Sequence, residues 1–127
     1  MGEPSNIRQI TPFMHAADIE AALRFFDLIG FRTQVRMANY AYVEREGAGV
    51  RILESRDANG EAFASHGGFA YYVDVRDVDA IAAELKRKLE AAQIAVVGPI
   101  DQHYRQRELI IDAPDGAKFV FGQPIPR

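Results

Sequence analysis

The sequence has no cysteine, which excludes disulfides, thiolate metal sites and cysteine nucleophiles. It has no basic excess either: 15 Lys and Arg stand against 18 Asp and Glu, for a net charge of −3. The basic residues are scattered among acids, so no nucleic-acid partner is expected. No apolar run approaches the roughly 18–20 residues of a membrane span, and no membrane partner is expected. Residues 1–9 are polar and carry no apolar signal stretch, which makes a cytoplasmic location the default. There is no glycine-rich phosphate loop, and Ser5, Ser55 and Ser65 lie outside any nucleophile elbow. What remains, 127 residues that are 48% hydrophobic and 26% charged, has the size and composition of one domain.

That domain repeats itself. Phe13-Met14-His15-Ala16-Ala17-Asp18-Ile19-Glu20-Ala21 recurs in character as Tyr72-Val73-Asp74-Val75-Arg76-Asp77-Val78-Asp79-Ala80, with Asp18 and Asp77 59 residues apart. Each copy is an apolar stretch, an acidic helix start and an amphipathic helix, so two modules around a shared site are expected. In the first copy a strand is predicted over Ile10–His15, with Pro12 interrupting its pairing. Asp18 stands at a helix N-cap, and Ile19, Ala22, Leu23 and Phe26 form one apolar stripe. Gly30 ends the helix and Phe31 restarts a strand. Strands at Tyr40–Glu44 and Val50–Glu54 follow, joined by a turn at Gly47-Ala48-Gly49.

The second copy repeats the order. A Phe69–Val75 strand leads to a helix from Asp77, with Val78, Ile81, Ala82, Leu85 and Leu89 on one face. A short strand near Ile94–Val97 ends at Gly98-Pro99. Strands at Arg107–Asp112 and Lys118–Phe121 are joined by the Ala113-Pro114-Asp115-Gly116 turn. The reading is a single α+β domain of two tandem βαβββ repeats, about 7–56 and 68–123, with a linker at 57–67.

Thr11-Pro12-Phe13-Met14 leading into Asp18–Phe26 and Leu28-Ile29-Gly30-Phe31 resembles the opening of the vicinal oxygen chelate superfamily. That group includes glyoxalase I, extradiol dioxygenases, and fosfomycin- and bleomycin-resistance proteins. The closing stretch, Gln106–Leu109 through Asp112-Ala113-Pro114-Asp115-Gly116 to Phe121-Gly122, is similar to the bleomycin-resistance branch. The resemblance implies paired βαβββ modules whose mixed sheet forms a cup, and a homodimer with clefts lined by both chains. In enzymatic relatives it also implies a divalent metal held by four cup-facing side chains.

Carried onto this sequence, those four positions fall at Thr11, Leu53, Ala70 and Val120, with Ile52 or Glu54 as alternatives to Leu53. Thr, Leu, Ala and Val lack the nitrogen and oxygen lone pairs that a divalent cation needs, so no metal and no cofactor are expected. His66 reads as a solvated loop residue and His103 as a surface one.

The cup is instead aromatic and polar. Phe13, His15, Tyr40, Tyr42, Arg51, Tyr72, Tyr104 and Glu108 are the candidate ligand-binding residues, with Asp74, Arg105 and Ile110 nearby. Flat rings suit planar ligands, and the carboxylates suit a cation. The plainer reading makes Phe13 and Tyr71 core residues, and Arg51 and Glu108 an interstrand ion pair. The expected function is metal-free sequestration of an amphipathic or planar cationic molecule, such as a bleomycin-like antibiotic, in a dimer cleft. The alternative is a metal-dependent glyoxalase- or dioxygenase-type enzyme with displaced ligands at His15, His66 and Glu108. A regulatory or structural dimer that binds no small molecule is a third reading.

Overall fold

The computed structural model describes residues 6–56, 62–63 and 70–126. Both helices begin where an aspartate can satisfy open N–H groups. Asp18 accepts from the backbone N–H groups of Glu20 and Ala21, and α1 runs Ile19–Leu28. Asp77 accepts from the N–H of Ala80, and α2 runs Val78–Ala91. Each helix start takes a second acceptor from the end of its own module's last long strand. Ile19 N donates to Glu54 Oε2 at 2.8 Å, and Val78 N to Gln123 Oε1 at 2.6 Å.

The first module pairs β1 (Phe13–His15), β2 (Arg32–Arg36), β3 (Tyr40–Arg45) and β4 (Ala48–Leu53) in the order β1-β4-β3-β2. A two-strand ladder of β5 (Ser55–Arg56) and β6 (Ala62–Phe63) follows. The second module pairs β7 (Ala70–Asp74), β8 (Val96–Asp101), β9 (Gln106–Asp112) and β10 (Lys118–Pro124) in the order β7-β10-β9-β8. In both sheets the first strand runs parallel to the last and the rest are antiparallel. Two mixed four-stranded sheets with one helix each are the repeat made visible. No helix among the described residues is long and apolar enough to cross a membrane.

Several boundaries differ from the expectation, each for a local reason. The first strand is Phe13–His15 rather than Ile10–His15, since Pro12 has no N–H to pair; its carbonyl still accepts from Arg51 N at 3.0 Å. The first hairpin turns at Glu46-Gly47, with φ of 52° and 83°, and Ala48 and Gly49 belong to β4. Two successive positive φ values match the right-handed strand twist, and only Gly47 adopts its value freely. Gly98-Pro99 does not end β8: the strand runs on to Asp101 through a cis peptide and a register shift between Val97 and Ile100. Residues 62–63, placed in the linker by sequence, pair with β5. Phe69, expected to open β7, lies outside the described residues.

One core joins the modules. Ile19, Ala22, Phe25 and Phe26 of α1 are buried with Val78, Ala82, Leu85 and Leu89 of α2, while Leu23 and Ile81 are half-buried at the edge. The core-facing strand residues include Met14, Val43 and Ile52 in the first sheet and Leu109, Ile111 and Phe121 in the second. Phe119 of β10 meets Phe25, Phe26 and Phe31 edge-on at 5.6–6.2 Å, tying the second module to the first. Burying such rings contributes about 1.5–3 kcal/mol apiece. Tyr71 stacks on Phe119 at 6.1 Å and donates to the Phe13 carbonyl at 2.8 Å, so the two edge strands β1 and β7 are bridged. Because strand residues alternate sides, the opposite face of each sheet is left free of the helices.

Candidate functional site

The first free face is built on β1, β4 and β3. The ladder sets Phe13 beside Arg51 and Arg51 beside Tyr42; the next row is His15, Leu53 and Tyr40. Arg51 Nη1 donates to the Tyr40 hydroxyl, and the guanidinium carbon lies 5.3 Å from the Tyr42 ring centre. The Tyr42 hydroxyl donates to Glu44 Oε2 at 3.0 Å. Its ring lies across Gly49, where a Cβ would stand 2.3 Å from the hydroxyl oxygen. Only glycine leaves room for that ring.

The second free face is built on β7, β10 and β9. Asp74, Gly122 and Glu108 form one row; Tyr72, Val120 and Ile110 form the next. Glu108 is 3% exposed and is the buried charged residue among those described. Its Oε1 accepts from the Tyr104 hydroxyl at 2.7 Å and from Gln102 Nε2 at 3.2 Å. Tyr72 lies across Gly122, where a Cβ would stand 1.9 Å from the hydroxyl oxygen, and donates to Gln106 Oε1 at 3.0 Å. Partial burial, then the Glu108 carboxylate, push the Tyr72 phenol well above the usual tyrosine range. The hydrogen bond to Glu108 pushes the Tyr104 phenol up as well. Both phenols therefore stay neutral donors around one carboxylate.

A cavity of about 700 Å³ lies between the modules, walled by Gly49 and Val50 of β4, Tyr71 and Tyr72 of β7, and Gln9 and Ile10 before β1. It has the volume of a drug-sized molecule, and of the eight candidate residues Tyr72 is the one that lines it.

The eight candidate residues thus fall into two groups: Phe13, His15, Tyr40, Tyr42 and Arg51 on the first sheet, and Tyr72, Tyr104 and Glu108 with the second. The Arg51–Glu108 ion pair does not form, since the two residues sit on different sheets and each has other partners. Phe13 is not core; it is 50% exposed. Arg105 turns away, its guanidinium donating to the Pro126 carbonyl at 2.7 Å. His103 is exposed and meets the Tyr104 ring edge-on. His66 lies outside the described residues. Gln102, Gln106, Gly49 and Gly122 are additions. Gln106 was open to detection because it alternates with Glu108 on one strand, whereas Gln102 comes from a loop that carries no periodicity.

The four metal positions are also placed by the ladder. Tyr72 faces Val120 as Phe13 faces Arg51, so the counterpart of Leu53 in the second module is Gly122. Neither reading supplies a donor set: Thr11, Leu53, Ala70, Val120 and Gly122 offer one hydroxyl among them. Glu54, the remaining carboxylate, is turned to the start of α1. Among the described residues no three His, Asp or Glu side chains are grouped to hold a metal ion. The residues present do not fit the divalent ion of the enzymatic relatives.

No protein-family model matches the sequence, and no curated protein matches it. Solved structures do. A bleomycin-resistance determinant encoded on transposon Tn5 superposes with a TM-score of 0.70 at 18% identity, covering 93% of this chain and 98% of that one. The fold is that of the bleomycin-resistance proteins. A bleomycin-binding protein from Streptomyces verticillus, solved with copper(II)-bleomycin, gives 0.70 at 19% identity over 98% of this chain and all of its own. A glyoxalase/bleomycin resistance protein/dioxygenase from Nocardioides gives 0.70 at 20% identity over 96% and 87%. At such identities the likeness speaks for architecture; what the site does rests on its own residues.

Proposed function

We propose that this chain is a metal-free binding protein of the bleomycin-resistance type, which sequesters a planar or amphipathic cation in a cleft between two copies. The observation that carries the reading is Glu108. A carboxylate 3% exposed is fixed by Tyr104 and Gln102 through one oxygen, with the Tyr72 ring in the adjacent row. A desolvated, oriented anion flanked by aromatic faces is what a flat cation needs, and desolvation strengthens the attraction. Two of the similar structures are bleomycin-binding proteins solved with bleomycin or its copper(II) complex, which supports the ligand class. Phe13, Tyr72, Val97, Ile100 and Tyr104 are each at least 42% exposed; such apolar surface favours cover by a second copy.

Isothermal titration with bleomycin, its copper(II) complex and smaller planar cations tests this. Binding is expected for at least one of them, weakened about ten-fold or more by Glu108→Gln, the scale of a lost hydrogen bond to a charged group. No heat from any of the panel, with the folded dimer verified, removes the reading. Metal analysis of protein purified without chelators is a second check. Stoichiometric nickel, zinc, manganese or iron, lost on His15→Ala, would replace sequestration with the enzyme reading.

A further inference from the structure

Four arginines are paired with carboxylates: Arg32 with Asp27, Arg36 with Glu20, Arg45 with Glu46 and Glu84, and Arg107 with Asp79 and Asp101. Arg51 is not. It is half-buried on the free face of the first sheet and forms no salt bridge among the described residues. Its position is fixed by neutral groups, the Tyr40 hydroxyl at Nη1 and the Tyr42 ring under the guanidinium plane. Gly49 in turn gives the Tyr42 ring its seat. Nη2 and Nε are left without a protein acceptor among the described residues, while Phe13, half exposed, stands directly across the ladder. A guanidinium held in one place without its charge being neutralised is a preorganised fork for an oxyanion.

We infer that Arg51, Tyr40 and Tyr42 form a receptor for the carboxylate of an aromatic acid. One cation balances a monoanion, and the Glu44 carboxylate at the far end of Tyr42 disfavours a dianion such as phosphate. The planar fork matches a carboxylate through two parallel N–H donors. Phe13 supplies a ring face on which the aryl part of the acid stacks. The receptor stands on the first module and is independent of the cation reading at Glu108.

The test is NMR titration of the ¹⁵N-labelled full chain with 2-naphthoate and, separately, with inorganic phosphate. Naphthoate is expected to shift the Arg51 Nε–H resonance and the amides of Phe13 and Tyr42, and phosphate to leave them in place. Arg51→Met should weaken naphthoate about ten-fold or more, the scale of a lost charge-assisted pair. Tyr40→Phe, which keeps the ring and removes the anchoring hydroxyl, should weaken it about two- to five-fold and serves if Arg51→Met does not fold. Naphthoate that binds with unchanged affinity to either folded variant, or shifts from phosphate alone, overturns the receptor. Bleomycin titrated on the same samples separates the two readings: its binding can survive the loss of naphthoate, and its loss leaves the naphthoate result standing.

Discussion

Glu108 shifts two neighbouring phenols at once. Its carboxylate raises the Tyr104 phenol by accepting its hydrogen bond and, after burial, raises Tyr72. A phenol whose folded value lies above its unfolded value of 10.0 adds stability that is fully present below pH 10 and is lost as the pH climbs through the folded value. Absorbance at 295 nm should therefore show Tyr72 and Tyr104 ionising later than the free side chain. Glu108→Gln should return Tyr104 toward ordinary behaviour and carry Tyr72 part of the way. Ionisation of Tyr72 and Tyr104 at the usual tyrosine value would contradict the arrangement. At this scale the sequence was informative about faces and silent about partners. Alternation put Tyr72, Glu108, Tyr40, Tyr42 and Arg51 on the correct sides of their strands. It could not tell that Arg51 and Glu108 belong to separate sheets, because pairing between strands far apart in sequence leaves no local mark.

Elements were legible where a side chain dictates the backbone. Asp18 and Asp77 start their helices as expected, since a carboxylate at the N-cap answers N–H groups that the helix cannot. Asp18→Ala should cost about 0.5–2 kcal/mol in urea unfolding, near the lower end because Glu54 still meets the N–H of Ile19. A double variant that also removes the Glu54 carboxylate should lose more than the sum of the single changes, as two acceptors share one helix start. An additive result would separate them. Boundaries missed by the pattern have equally physical causes. The first turn rests on Glu46, a residue that accepts a positive φ only because the hairpin twist demands it. The Gly98-Pro99 pair looks like a stop but is absorbed as an irregularity in β8.

On the scale of the whole molecule, the repeat foresaw two sheets and two helices, and it did not foresee how they are fastened. Phe119 packing against three first-module rings, and Tyr71 bridging to β1, are contacts between copies that neither copy contains. The exposed apolar residues on the free faces lead to an expected dimer by sedimentation. Substituting Ile100, 42% exposed on β8, with glutamate should shift it toward monomer with the fold retained. A monomeric wild-type chain at micromolar concentration would count against the shared cleft. The two tyrosines laid over glycines have a longer reach. A methyl group at Gly49 or Gly122 collides with the ring above it, so either glycine can change only if its tyrosine leaves that seat. Sequence drift here is coupled: a change at either glycine displaces Tyr42 or Tyr72 from its seat, and with it the aromatic floor of the site.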